Sequence, residues 1–457
     1  MNLRRLSLGI GSGLFDKIVV TVVQLLLVPV LANAWGLTLF GIWAMLATIP
    51  TMLALSDFGI ITSAWARMTL FVSRGEVERA RMVLHTAWLS SGLITLALVV
   101  LSGATLILLP AGILPNAPGL GDVDSRAALF MLIAYGLGTV LFRLNTVIFR
   151  AAGNVPLNLW CNTASYTIEN VGVLIAVLLG AGIVTAAGVL LVARCISIVG
   201  VFVLGNIKYP ELRPGFMQAS RDEWVQMWRP ALSAAVLGFG VIAFLQLSVL
   251  ALGASAGAAA VPAFVAVRTL SRVGLQISQM VAGPVAQEFG QEMAGGRAER
   301  AGRYFGLVLA TSLVMSVGIA FGMVVLGTTF VRLWTAGAIE VSFTLMLAMA
   351  LSSAAAVLWN TVANLISSVN RQGAISNINL GASIVGLLLI AVTGDHLGAV
   401  AAGLAFAAVD LVTVVAVVRF VRQEWWISPE FRDGTCTTFQ HLRNPAGMLR
   451  ALRQRSG

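Results

Sequence analysis

Long apolar stretches dominate the chain, and polar residues gather in short clusters between them. The runs fall at about 8–33, 38–58, 83–109, 127–149, 156–180, 185–205, 229–252, 258–283, 304–328, 341–366, 373–393 and 397–420. Each is close to the ~20 residues that a helix needs to cross a hydrocarbon core. The pattern predicts an all-α polytopic membrane protein with twelve transmembrane helices. The first run is too long for a signal-peptide core and lacks a small-residue cleavage site, so it reads as the first helix.

Composition acts by exclusion. Of 457 residues, 58% are hydrophobic and 11% charged, against about 25% charged in a soluble domain. Mean hydropathy is +0.91. Too little charge is present to cover a soluble surface, which excludes a cytosolic enzyme, a secreted disulfide scaffold and a disordered protein. The formal charge of +10 would suggest nucleic acid in a soluble chain. Here basic residues flank spans, and no nucleic-acid partner is expected.

Arginine and lysine orient the chain. With Arg4 and Arg5 in the cytoplasm, the inner connections hold Arg67, Arg74, Arg79, Arg81, Arg150, Lys208, Arg213, Arg221, Arg229, Arg297, Arg300, Arg303 and Arg371. The outer side holds Arg126 and Arg332. Both termini are therefore expected on the cytoplasmic side. In the inner connection 206–228, Ser220 and Glu223 read as a capping box opening an interfacial helix that bears Trp224, Met227 and Trp228. The segment 445–455 reads as a short basic interfacial helix.

The chain also repeats itself. Gly75-x-x-Glu78-Arg79-Ala80 returns as Gly296-x-x-Glu299-Arg300-Ala301, and Asn145-Thr146-Val147 returns as Asn360-Thr361-Val362. The two offsets nearly agree, which predicts two parallel-related six-helix bundles, the usual build of secondary transporters. The expected organisation is an N-terminal bundle over 1–205, a linker over 206–228, a C-terminal bundle over 229–422 and a basic tail over 423–457.

At several of these places the residues resemble a known superfamily. Leu26-Leu27-Val28-Pro29, Trp35-Gly36 and Phe40-Gly41-Ile42-Trp43 look like the first helical hairpin of polysaccharide flippases. Leu55-Ser56-Asp57-Phe58-Gly59, the Arg74-Gly75 loop, Gly153-Asn154, the stretch from Gln246 through Arg268, and Pro284 fit as well. The resemblance covers nearly the whole chain. It is to the oligosaccharide-flippase branch, the O-antigen and teichoic-acid exporters, of the multidrug/oligosaccharidyl-lipid/polysaccharide (MOP) exporter superfamily. Relatives often carry an acidic residue two positions after the counterpart of Gln246; Ser248 stands there in this chain.

The resemblance implies twelve helices in two bundles around a cavity that opens alternately to each side. It implies a polyprenyl-diphosphate-linked oligosaccharide as substrate, whose glycan crosses to the outer leaflet through the cavity. A polysaccharide polymerase and a chain-length regulator are the partners it suggests. The Arg-rich and Ala/Gly-rich composition suggests a bacterial inner membrane.

Polar residues inside the spans are the candidate sites, because an ionisable group at the bilayer centre costs at least about 2.5–3.5 kcal/mol on insertion scales. Arg268, Arg272, Gln276 and Gln279 share one face of the eighth run. Arg268 lies roughly 15 Å from the outer end at ~1.5 Å per residue. Guanidinium groups match phosphate oxygens, so Arg268 and Arg272 are candidates for the diphosphate, with Lys17 and Arg194 as further contacts. The alternative is structural pairing or, for Lys17, snorkelling to headgroups.

Asn158 and Asn162, on a face with Ser165 and Glu169, and Asn360 and Asn364, on a face with Ser367 and Arg371, are cavity candidates for sugar hydroxyls, as is Gln24. Interhelical hydrogen bonding is the alternative. Asp57, Glu169 and Asp410 are the gate or ion-coupling candidates. No catalytic residue, metal or cofactor is expected. Cys161, Cys195 and Cys436 are scattered, as are His85, His396 and His441, and Asp122-x-Asp124 reads as a solvated turn in a Gly/Pro loop.

A lipid-linked oligosaccharide flippase accounts for the duplication, the cationic stripe and the resemblance together. A cation-coupled multidrug antiporter of the same superfamily is the runner-up, although its site would want acidic and aromatic groups. A membrane polysaccharide polymerase would need a large outer loop, and the outer loops are short. A non-transporting scaffold leaves the deep arginines without a purpose.

Overall fold

The computed structural model describes residues 3–53, 59–110, 112–114, 120–369 and 371–443; of 3–12, 14, 229–241, 280–281, 284, 374 and 441–443 only the backbone is described. Asp57 and the segment 445–455 lie outside the described residues.

Over the described residues, every predicted apolar run has become helix. In chain order the helices are α1 (Leu3–Leu46), α2 (Thr48–Leu53), α3 (Ile60–Ser73), α4 (Val77–Leu108), α5 (Asp122–Ala151), α6 (Val155–Leu178) and α7 (Ile183–Lys208). Then follow α8 (Arg221–Ala256), α9 (Val261–Ala294), α10 (Ala298–Trp334), α11 (Phe343–Ser368), α12 (Gly373–Leu397), α13 (Ala399–Glu424) and α14 (Pro429–Arg443). α1 is two helices joined at a break at Gly36, which separates the first two runs. The second run ends in α2, and α4 to α13 supply the later ones. Among the described residues nine helices are long and apolar enough to cross a membrane, within an all-helical fold of twelve-helix membrane architecture. Ile107 and Leu108 are 78% and 81% exposed, a surface that suits acyl chains rather than water.

Several helices outrun their apolar stretches on the arginine-rich side. α3 carries Arg67 as a helical residue rather than a loop residue, because Ile60, Ala64 and Met68 form a buried face one turn apart. That face packs against Leu84 and Ala87 of α4 and Leu144 and Ile148 of α5. A helix needs only one apolar stripe outside the bilayer, so hydropathy underestimates its length.

The internal repeat occupies the same local structure twice. After α3, Gly75 N–H donates to Val72 O and Glu76 N–H to Phe71 O; after α9, Gly296 N–H donates to Met293 O and Arg297 N–H to Glu292 O. Both are Schellman turns with a left-handed glycine, φ 75° at Gly75 and 70° at Gly296. A new helix begins two residues later in each case, at Val77 and Ala298.

Packing divides the chain into two units: Met1–Pro262 with Trp334–Ile339, and Ala263–Leu333 with Glu340–Gly457. In unit 1, α5 pairs with α7, α1 with α6, and α8 with α2, α3 and α4. The linker before α8 is tied to α4. His85 Nε2 meets the Arg213 carbonyl at 3.0 Å, and His85 Nδ1 accepts from Gln218 N–H at 3.1 Å. The expected capping box is not formed: Ser220 makes no side-chain cap, and Glu223 instead accepts from Arg67 at 2.5 Å. An ion pair to a helix 156 residues away outcompetes a local cap bond.

In unit 2, α13 packs on α11 and α12. Phe289, Phe305, Trp425 and Phe431 form an aromatic cluster that seats α14. Thr435 and Thr438 donate to the Gly302 and Arg303 carbonyls of α10. A β-carbon at Gly302 would overlap the Phe431 carbonyl. Gly302→Val is therefore expected to lift α14 from α10, at about 1–3 kcal/mol. Faster proteolysis between α13 and α14 in the purified protein is the readout.

Candidate functional site

Among the described residues, the spans of each unit hold a buried polar centre. In unit 1, α6 and α7 bring Glu169 and Arg194 together, with Arg194 Nη2 2.9 Å from Glu169 Oε2. Tyr135 of α5 donates its hydroxyl to the same oxygen at 2.9 Å, and Ser165 donates to Glu169 Oε1 at 2.7 Å. Arg194 Nη1 reaches Ser165 Oγ at 3.3 Å. Its guanidinium also lies against the rings of Tyr135 and Phe142, which share a face of α5. Glu169 is fully buried and Arg194 nearly so. Ser165 and Glu169, two members of the predicted α6 stripe, thus point at α5 and α7. Asn158 is buried, and the Asn162 amide donates to its backbone carbonyl at 2.6 Å.

α1 carries a smaller centre. Asp16 accepts from Thr163 of α6 at 2.6 Å, while Lys17 Nζ lies 4.0 Å from Asp16 and its side chain is 49% exposed. Gln24 is partly buried on the same helix.

In unit 2, α9 presents the cationic stripe. The Arg268 guanidinium sits 5.4 Å from the ring centre of Phe264, one turn earlier. Phe264 is itself buried edge-on against Phe406 of α13, at 5.3 Å. Arg272 and Gln279 are exposed, and Gln276 is partly buried. Gln279 Nε2 donates to Asn360 Oδ1 of α11 at 3.1 Å. This bond joins the two stripes, 81 residues apart in sequence, at one point. Asn364 follows Asn360 by one turn and is partly buried.

In the same unit, Asp410 of α13 accepts from Ser352 Oγ at 2.6 Å and from Trp359 Nε1 at 2.8 Å, both on α11. Both donors are neutral. Among the described residues no cation lies within ion-pair distance of Asp410, which is 9% exposed. Asn379 of α12 donates to Thr413, one turn along α13, at 2.9 Å. Among the described residues there is no cluster of His, Cys, Asp and Glu with metal-binding geometry. Asp122 pairs with Arg126 at 2.7 Å, and Arg126 also caps the Leu106 and Leu109 carbonyls at the end of α4.

Sequence reasoning passed over Tyr135, Ser352 and Trp359. A signal existed for two of them: a Tyr or Trp deep in an apolar span has a polar atom that needs a partner.

No family model matches the sequence, and no curated protein is similar enough to match. Solved structures do match. An inward-facing multidrug-resistance MATE-family transporter of the MOP superfamily aligns with a TM-score of 0.72 at 11% identity, over 89% of this chain and 95% of its own. The lipid II flippase MurJ, in an inward closed conformation, aligns with a TM-score of 0.69 at 15% identity, over 94% of this chain and 90% of its own. A eukaryotic MATE transporter aligns with a TM-score of 0.62 at 15% identity, over 96% and 98%. The fold is that of the MATE and MurJ transporters. It serves a lipid flippase and a drug transporter alike, so the site must decide the function.

Proposed function

We propose that this protein is a flippase for polyprenyl-diphosphate-linked oligosaccharide, working by alternating access in a bacterial inner membrane. The observation that carries the reading is the α9 stripe, where Arg268 and Arg272 stand one turn apart within an apolar span. Two permanent charges at that spacing favour an anion with two negative centres, as a diphosphate has, and the guanidinium fork matches its oxygens. Gln276, Gln279, Asn360 and Asn364 extend the same surface with amides suited to sugar hydroxyls. Asp410 is the coupling group in this reading. Its carboxylate meets only neutral donors among the described residues, so a proton or a small cation would supply the counter-charge that burial demands.

A cation-coupled multidrug antiporter is the second reading. Asp410 favours it, and so does the MATE-like fold; the arginines of α9 oppose it, because they would repel a cationic drug. One experiment separates the two. Cells depleted of the protein are expected to accumulate a single polyprenyl-linked glycan, detected by mass spectrometry of the lipid extract. Active polymer synthesis without such accumulation, together with resistance to cationic dyes on overexpression, would support the antiporter.

A further inference from the structure

Pro29 sits inside α1. Proline has no N–H, so the carbonyl four residues earlier, that of Leu25, loses its helical donor. A carbonyl left without a partner inside an apolar span is costly. Here the missing donor is replaced from another helix: Trp334 Nε1–H, at the last residue of α10, donates to Leu25 O at 2.7 Å. A second tie lies one turn on. Asn33 Nδ2 donates both to Pro29 O, at 2.8 Å, and to Thr335 O, at 3.1 Å.

The segment that makes these bonds is built to lie where it does. Thr335 and Ile339 are buried, and Ala336 and Gly337 adopt consecutive left-handed conformations with φ 51° and 80°. The turn is closed by Ile339 N–H donating to Thr335 Oγ1 and Ala338 N–H donating to Thr335 O. Trp334–Ile339 packs as part of unit 1, whereas its chain neighbours Leu333 and Glu340 belong to unit 2. Beside it a cavity of about 400 Å³ is lined by Pro29, Asn33, Val177, Leu178 and Trp334 among others.

We propose that Trp334–Ile339 is a strap that latches α1 through the carbonyl freed by Pro29. The strap holds α1 by hydrogen bonds that are additional to the helix's own. A rearrangement of α1 at Pro29 must therefore release the Trp334–Leu25 bond. When the bond is released, the cavity gives α1 room to rearrange at Pro29. On the orientation set by the arginines, the latch lies at the outer end of the spans. It does not depend on what is transported.

The test uses the full-length protein in nanodiscs, with Cys161, Cys195 and Cys436 replaced by serine and a reporter Val177→Cys. Val177 is 2% exposed, so its reaction with a water-soluble maleimide reports loosening of the packing that covers it at the floor of this groove. Trp334→Phe keeps the ring and removes the donor. It is expected to speed labelling about fivefold, as the net loss of one hydrogen bond allows. Pro29→Ala restores a helical donor to Leu25, so Trp334→Phe in that background is expected to change labelling less than about twofold. Asn33→Ala, which removes the second tie without touching the tryptophan, is expected to act in the same direction as Trp334→Phe. Equal labelling of parent and Trp334→Phe would overturn the proposal. So would an identical acceleration by Trp334→Phe with and without Pro29, since the freed carbonyl would then have no part in it. Should Trp334→Phe not fold, the Asn33→Ala rate decides: acceleration supports the strap, and an unchanged rate removes it.

Discussion

Glu169→Ala is expected to destabilise unit 1 by about 3–5 kcal/mol, because it leaves the Arg194 guanidinium buried without its carboxylate. The pair is 8% and 0% exposed at its two side chains, and the N···O distance is 2.9 Å. Arg194→Ala is expected to cost a similar amount, since it strands a fully buried Glu169 and leaves Tyr135 and Ser165 bonded to an uncompensated charge. Replacing both partners by residues of similar volume, Glu169→Gln with Arg194→Met, is expected to recover most of the loss, because neither charge then remains. Thermal unfolding of the four proteins in one detergent measures these differences. The same variants address the function of Glu169. A double variant that folds and still transports would make the pair a brace between α6 and α7. One that folds and does not transport would return Glu169 to the coupling candidates.

The second large effect is expected at Arg268. On the flippase proposal, Arg268→Ala is expected to lower export of the lipid-linked glycan about 100-fold, the loss of roughly 3 kcal/mol of charge-assisted hydrogen bonding. The protein should still reach the membrane, because the change removes a charge from a span rather than adding one. Arg268→Lys keeps the charge but loses the planar fork, so about a tenfold loss is expected. Comparing lipid-linked glycan levels in cells complemented with each variant, at matched membrane abundance, checks both figures. Normal export by Arg268→Ala would remove the α9 stripe from the substrate site while leaving the fold assignment untouched.

Much of the site is legible in the sequence as chemistry but not as geometry. The four-residue spacing of Arg268 and Arg272 puts them on one face, because helix periodicity alone requires it. That Gln279 of this stripe meets Asn360 of another is not readable, since nothing local relates two helices 81 residues apart. The α6 stripe shows the limit from the other side. Asn158, Asn162, Ser165 and Glu169 share spacing and polarity with a cavity face, yet Ser165 and Glu169 turn to Tyr135 and Arg194. Which way a polar face points is a property of its neighbours.

The sequence by itself determined where the chain crosses the membrane and where it turns. A bilayer demands about twenty apolar residues per helix and satisfies no stray backbone group, so hydropathy and the paired glycines Gly75 and Gly296 carry that information residue by residue. The tertiary structure alone decided which charges are partnered. Arg194 found Glu169, Glu223 left its local cap for Arg67, Asp410 met only Ser352 and Trp359 among the described residues, and Trp334 closed the carbonyl that Pro29 had opened. In a low-dielectric span each of these contacts outweighs any local preference, and each joins residues that only packing brings within reach.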